Sequence, residues 1–291
     1  MIHAYDYLLR PFLEFAFMRR ALIACLAMAL GCGPIGILLV LRRMSLVGDA
    51  MSHAILPGAA VGFLIAGFSL LAMSTGGFLA GLAVALLSGL VTRVTKLRED
   101  ASFAAFYLIS LAIGVLIVSM RGSTVDLMHM LFGSILAVDN ASLLLLAGIS
   151  SFTLVALAFI FRPLVVECFD PRFLRSMGAR GWVYHFLFLV LVVLNLVGGF
   201  QALGTLMAVG LVMLPATAAR FWANEVWSLA ITASFFVFAS GYAGLLFSYH
   251  ANVASGPAII LVSGALYLIS LFLGAQGGIL TSRIRRRHLQ A

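Results

Sequence analysis

The chain has 291 residues, of which 63% are hydrophobic and only 10% are charged, and its mean hydropathy is +1.15. So few polar side chains cannot cover a water-exposed surface, which excludes a soluble globular protein and places most of the exterior against membrane lipid. The formal net charge of +8 does not indicate a nucleic-acid-binding protein, because the basic residues form short clusters beside apolar segments and do not line one groove.

The two ends of the chain are predicted to flank a single transmembrane domain. Residues 1–17 are expected to form an amphipathic, juxtamembrane helix that lies on the membrane. Its apolar side carries four residues, Ile2, Tyr5, Leu9 and Phe12. Residues 276–291, which include the run "RIRRR", are expected to form a basic cytoplasmic tail.

The transmembrane domain is predicted over residues 18–275. A helix needs about 20 apolar residues to cross a hydrocarbon core of about 30 Å, and the sequence contains nine runs near this length. They lie at 18–41, 46–68, 70–92, 102–120, 141–161, 182–198, 200–218, 227–248 and 257–275. A shorter apolar piece at 127–138 is interpreted as a re-entrant or interfacial half-helix. The fold class is therefore all-α, a polytopic helical bundle of eight to ten membrane segments.

The basic residues predict the orientation of this bundle. With the C-terminus in the cytoplasm, fourteen of the 18 lysines and arginines lie on the cytoplasmic side, which satisfies the positive-inside rule. Arg42, Arg43 and the basic residues between 162 and 180 belong to this group. Nine crossings then place the N-terminus outside.

Asp49 and His53 are the unusual residues of the second span. A carboxylate in mid-membrane costs about 2.5–3.5 kcal/mol and is expected to face the protein interior or a water-filled path. The spacing of four residues places both side chains on one helix face. Pro57 lacks the N–H that would bond the carbonyl of His53, and Ser52 lies close by. We expect Ser52 and Pro57 to shape the path at this point.

Two interpretations of the Asp49 and His53 pair remain open. The pair forms an internal hydrogen bond that stabilises a helix contact, with Pro57 an ordinary kink, or it binds a cation in transit. One carboxylate oxygen and one imidazole nitrogen suit Zn²⁺ or Mn²⁺ better than alkali ions. Two side chains are too few for a tight structural site, whereas a transit site must release its ion readily.

The stretch "LRRMSLVGDAMSHAILPGAAVGF" resembles the signature of the permease subunits of bacterial ABC importers for zinc, manganese and iron, the ABC-3 family. The likeness extends from about residue 18 to 275. It continues in five further motifs, "LREDASFAAFYLISLAIGVLIVS", "DLMHMLFGSILAV", "FDPRFLRSMGARG", "QALGTLMAVGLVMLPATAAR" and "ASGPAIILV". Several motifs in the order typical of the family make the resemblance specific.

The resemblance implies a homodimeric permease in the bacterial cytoplasmic membrane. Such a permease receives metal from an extracytoplasmic solute-binding protein and is driven by two cytoplasmic ATPase subunits. The resemblance also associates Asp49 and His53 with the metal path. No permanently bound cofactor is expected, and the transported ion is expected to be Zn²⁺ first, otherwise Mn²⁺ or Fe²⁺.

The residues themselves agree with a permease that depends on a separate ATPase. The only lysine, Lys96, has no glycine-rich P-loop before it, so the chain is not expected to hydrolyse ATP or to be an enzyme. A short cytoplasmic helix is predicted within 169–181, because Asp170 is a favourable N-cap, proline follows it and Gly178 can end the helix.

That short helix either caps a loop or docks the ATPase, and the resemblance favours docking. Phe173, Leu174 and Met177 are then expected to enter a groove of the ATPase, while Arg172 and Arg175 face its acidic residues.

Three other histidines carry weaker signals. His129 is a further candidate that could hand metal inward, although an interfacial histidine is more often just hydrated. His185 and His250 lie near helix ends and suggest no function.

Other classes of function are less well supported. A proton-coupled secondary metal transporter could use Asp49 and His53 as a relay. An intramembrane metalloprotease would need H-E-x-x-H, which the sequence lacks. A serine hydrolase in the membrane has no supporting motif.

Overall fold

The structure is a computed structural model that describes residues 7–67, 69–120, 135–178 and 181–281. Its α-helices in chain order are α1 Arg10–Glu14, α2 Ala16–Leu41, α3 Ser45–Ala66, α4 Leu70–Val94, α5 Glu99–Met120, α6 Asn140–Phe169, α7 Pro171–Ser176, α8 Gly181–Leu203, α9 Thr205–Ala219, α10 Val226–Ala251 and α11 Ser255–Leu273. A 3₁₀ turn, Ile135–Ala137, precedes α6.

The predicted all-α bundle is confirmed over the described ranges. Eight of the described helices are long and apolar enough to cross a membrane, and the ninth predicted span corresponds to the shorter helix α9. The predicted half-helix at 127–138 lies mostly outside the described residues, as does most of the predicted basic tail.

Two helix boundaries differ most from the sequence prediction. Helix α6 was expected to end near Phe161 but continues through Arg162 and Pro163 to Phe169. Its last turns carry side chains that bind other helix ends, so tertiary contacts extend the helix beyond its apolar run.

The break between the sixth and seventh predicted spans also lies elsewhere. It was expected near residue 199, where two glycines meet, but it falls at Gly204, whose φ of +87° favours glycine. A Cβ added at Gly199 would lie 2.8 Å from the Cβ of Ala208. The two glycines therefore permit close packing of helices and do not end one.

Helices α3 and α4 form the closest pair in the bundle around the candidate site. A Cβ added at Gly58 or Gly76 would overlap the backbone carbonyl oxygen of the other residue. Such small residues let two membrane helices approach until their backbones touch. The helix that carries Asp49 is therefore fixed along one side.

One end of the bundle is defined by contacts among several helix termini. Arg42, after α2, pairs with Glu167 in the last turn of α6. Ile37 near the end of α2 shares a small apolar cluster with Ala219 at the end of α9 and Leu229 at the start of α10. These termini therefore lie at the same end, which we call the Arg42 end.

The N-terminal segment lies at the opposite end. The ring of Tyr7 stacks on His250, in the last turn of α10, with 4.1 Å between ring centroids. Tyr242 donates a hydrogen bond to the carbonyl of Leu8, and Phe12 is buried against the Tyr242 ring. The predicted amphipathic helix is thus a short helix, α1, held by α10.

Candidate metal site and docking helix

Asp49 and His53 lie one turn apart on α3, as predicted from their spacing. Nε2 of His53 is 3.7 Å from Oδ1 of Asp49, which is longer than a hydrogen bond. Their side chains are 35% exposed for His53 and 58% exposed for Asp49. In this single chain the two side chains are therefore not joined by a hydrogen bond, and Asp49 is exposed while His53 is partly buried.

The pair lies nearer one end of α3 than the sequence suggested. Helix α3 begins at Ser45, next to the Arg42 end, so His53 stands about 12 Å along the helix at 1.5 Å per residue. The expectation of a mid-membrane position is corrected to one in the half of the span nearer the Arg42 end.

Ser52 and Pro57 do not share the exposed face of Asp49. Ser52 is 4% exposed, and its hydroxyl donates a 2.7 Å hydrogen bond to the backbone carbonyl of Asp49. Pro57 is buried within a helix that continues from Ser45 to Ala66, and it packs against Gly114 of α5. Ser52 is therefore turned back to the backbone of α3, whereas Pro57 packs that helix against α5.

The donor set of one chain is small. Among the described residues, no group of three or more histidine, cysteine or acidic side chains could hold a metal ion. Within the described part of the chain, Asp49 and His53 thus offer one carboxylate and one imidazole. The additional candidate His129 lies outside the described residues.

The predicted short cytoplasmic helix is present as α7. Asp170 caps it by accepting a 2.9 Å hydrogen bond from the N–H of Phe173. Gly178, with a φ of +75°, follows the helix in the left-handed region that favours glycine. The N-cap and the terminating glycine are therefore confirmed.

The exposed side of α7 is apolar. Phe173 is 52% exposed and Met177 is 69% exposed, and Phe169 in the preceding turn is also exposed. Leu174 was expected to enter a groove of the ATPase as well, and this is wrong because its side chain is buried beside Gly181. Leu174 holds α7 against the bundle.

The remaining predicted docking residues are Arg172 and Arg175. Their side chains lie outside the described part of the structure. The sequence did not single out Phe169, which is the last residue of α6 and is separated from α7 by Asp170.

A buried polar cluster behind α7 was also missed. The guanidinium of Arg42 donates hydrogen bonds to Glu167 at 2.6 Å, to Nδ1 of His185 at 2.8 Å and to the sulfur of Cys168 at 3.1 Å. Nε2 of His185 lies 2.9 Å from a carboxylate oxygen of Glu99. The ends of α2 and α6 and the starts of α5 and α8 are thereby joined.

A sequence match along most of the chain shows which family the protein belongs to. Residues 14–274 match the ABC 3 transport family. The chain belongs to that family. This confirms the resemblance drawn from the motifs, and the eight long apolar helices agree with a multi-pass protein of the bacterial cytoplasmic membrane.

Relatives similar along nearly their whole length are named for metal transport. The chain is 34% identical over 260 residues to the manganese import system permease protein ScaB of Streptococcus parasanguinis, covering 89% of this chain and 91% of that protein. It is 31% identical over 271 residues to a probable iron transport system membrane protein of Haemophilus influenzae, covering 92% and 97%. The chain is thus a permease of a metal ABC importer.

Solved structures share the fold. PsaBC from Streptococcus pneumoniae, determined in complex with Fab, matches with a TM-score of 0.83 and 30% identity over 97% of this chain and 100% of that chain. An inward-facing conformation of a putative metal-chelate type ABC transporter matches with a TM-score of 0.70 at 16% identity, covering 87% and 85%. The second likeness concerns the fold alone.

Proposed function

We propose that this permease carries Mn²⁺ into the cytoplasm and that Asp49 and His53 contact the ion on its way. The observation that carries the proposal is the exposed pair on α3, because an ionisable pair on a membrane helix indicates an ion pathway. Carboxylate and water oxygens suit Mn²⁺, and one imidazole per chain adds preference for a transition metal.

Manganese replaces zinc as the first candidate. The sequence expectation placed Zn²⁺ first because the pair contains a nitrogen ligand. The ScaB relative and an MntC protein of Halalkalibacterium halodurans, 33% identical over 92% of this chain, are both named for manganese. The iron transport name of the Haemophilus relative keeps Fe²⁺ as the second candidate.

A second copy of the chain completes the path. Two copies related by a two-fold axis would bring two carboxylates and two imidazoles together, whereas one chain offers one of each. The 58% exposure of Asp49 supports this arrangement, since a bare carboxylate facing lipid would be costly. Few ligands per chain also leave the ion free to depart.

Two further partners complete the importer. A cytoplasmic ATPase supplies the energy, because the chain has no P-loop, and it binds the exposed apolar side of α7. An extracytoplasmic solute-binding protein delivers the ion at the opposite end. ATP hydrolysis is thus assigned to a partner, and the permease itself is a transport subunit.

The test is manganese uptake by the permease reconstituted with its ATPase and solute-binding protein. Asp49→Asn preserves size while removing the charge that offsets ion desolvation, so uptake should fall at least tenfold, a loss of about 1.4 kcal/mol or more. Asp100→Asn, the same change at the start of α5, should keep wild-type uptake. Wild-type uptake by correctly assembled Asp49→Asn would refute the proposed path.

A further inference from the structure

Helices α3 and α5 touch at successive points along their length, and His53 makes one of these contacts. The ring centroids of Tyr107 and His53 are 6.0 Å apart, and the two rings are inclined by 29°. One turn further along, the hydroxyl of Ser110 donates a 3.4 Å hydrogen bond to the carbonyl of Ala54. The second contact lies further along both helices than the first, in the same direction. The two contacts together fix the position of Tyr107 along α5 relative to His53.

A third contact lies further along both helices, toward the other end of the bundle. A Cβ added at Gly114 would lie 2.6 Å from the Cβ of Pro57. Because glycine allows the two helices to touch there, Pro57 and Gly114 hold α5 close to α3 two turns beyond Tyr107. Tyr107 is therefore placed by backbone packing and not by its own side chain alone.

Tyr107 differs from its neighbours on α5. Leu108 and Ile109 are both 55% exposed, as expected of side chains that face lipid. Tyr107 is half-buried and packs against the bundle. Its ring therefore lies on the side of α5 that faces α3, beside the imidazole.

The imidazole of His53 needs such support. It is 35% exposed, and its separation of 3.7 Å from Asp49 is too long for a hydrogen bond to hold the ring. A ligand that must give up rotational freedom when the ion arrives binds more weakly than one already oriented. The aromatic contact with Tyr107 restricts the ring before any ion is present.

We propose that Tyr107 is a positioning residue that sets the orientation of the His53 imidazole and thereby the preference of the path for transition metals. The inference rests on the proposed function, since it assumes that His53 contacts the ion. With His53 correctly turned, the path presents nitrogen as well as oxygen. With His53 turned away, mainly oxygen ligands remain, and these suit Mg²⁺ and Ca²⁺ as well as Mn²⁺.

The experiment compares Tyr107→Leu and Tyr107→Phe in the reconstituted importer. Residues that orient a metal-binding histidine typically change metal affinity by about 10–100-fold when replaced. Tyr107→Leu should therefore raise the Mn²⁺ concentration for half-maximal uptake about tenfold and make uptake sensitive to competing Ca²⁺. Tyr107→Phe retains the ring, so its Mn²⁺ concentration for half-maximal uptake should stay within about twofold of wild type.

Two controls separate positioning from general packing. Leu108→Ala removes an exposed side chain next to Tyr107 and should alter neither half-saturation nor Ca²⁺ competition. The melting temperature of each purified variant reports loss of packing, which would lower stability without changing the preference between Mn²⁺ and Ca²⁺.

The outcomes distinguish this inference from the proposed function. If Asp49→Asn loses uptake while Tyr107→Leu keeps wild-type half-saturation and ion preference, only the role of Tyr107 is overturned. If Asp49→Asn and His53→Ala both transport Mn²⁺ like wild type, the proposed path fails and the role of Tyr107 fails with it.

Discussion

Arg42 and Glu167 form a 2.6 Å ion pair that joins the end of α2 to the last turn of α6, with side chains only 6% and 13% exposed. Arg42 also stacks its guanidinium over the ring of Phe188 at 4.6 Å. Because Arg42 is always charged, its hydrogen bond to His185 requires Nδ1 of that histidine to be the acceptor. The other ring nitrogen of His185, Nε2, faces Glu99 at 2.9 Å.

The ion pair of Arg42 and Glu167 predicts that a single variant and the double variant differ in stability. Arg42→Met leaves the buried Glu167 without its partner and should destabilise the protein by about 3–5 kcal/mol. Arg42→Met combined with Glu167→Leu removes both charges and should recover most of that loss, because apolar side chains of similar volume often replace a buried pair without cost. Thermal melting of the purified variants measures both effects, and equal melting of the two would contradict the prediction.

A charged substitution on the exposed side of α7 is predicted to weaken binding of the ATPase. Phe173→Glu places a charge where the docking surface is apolar, and the residue is exposed, so the permease itself should remain folded. Co-purification with the ATPase should weaken at least tenfold, since a central aromatic residue of an interface typically contributes about 2 kcal/mol or more. Leu97→Glu, an exposed apolar position in the loop between α4 and α5, is the control and should bind normally. Equal loss in both variants would remove the case for α7.

Close packing of α3 on α4 predicts unequal effects of the same substitution at two glycines. Gly76→Ala forces the backbones apart and should cost about 1–3 kcal/mol, because overpacking strains the helices. Manganese uptake should also fall, since α3 carries Asp49 and His53. Gly148→Ala on α6 has open space around the added methyl group and should stabilise by about 0.5–1 kcal/mol. Melting temperatures that move in the same direction would contradict this account.

Local patterns predicted the spans and the pair on α3, because both depend on residues close together in the sequence. The apolar runs bounded α2 to within two residues at its start, and the spacing of four residues placed Asp49 and His53 on one face. Ser52 was misjudged because its hydroxyl turns back to a carbonyl of its own helix, as serine often does in helices. Ser52 is next to His53 in the sequence, but adjacent residues of a helix do not lie on the same face.

Long-range contacts could not be predicted in the same way. Arg42 and His185 are 143 positions apart, and each looks like an ordinary hydrated residue near a helix end. The packing of α2, α6 and α8 against one another brings them together. The burial of Leu174 has a similar cause, because the side of α7 that meets the bundle depends on where α8 begins.

The side of the membrane reached by each helix end predicts the result of cysteine labelling. Ala251, at the end of α10, lies with the N-terminal segment, whereas Ala275 follows α11 beside Phe221 at the Arg42 end. Basic residues favour the cytoplasm for the Arg42 end, and all three tryptophans of the chain, Trp182, Trp222 and Trp227, lie at helix ends there, as interfacial tryptophans commonly do.

Single cysteines at the two alanines should therefore react on opposite sides of the membrane. In a Cys168→Ser background, a membrane-impermeant maleimide should label Ala251→Cys in intact cells and Ala275→Cys only after permeabilisation. The background variant should stay unlabelled, because its remaining cysteines, Cys25 and Cys32, are buried in α2. Labelling of Ala275→Cys in intact cells would reverse the orientation of the bundle. It would place the exposed side of α7 outside the cell, where no ATPase could bind it.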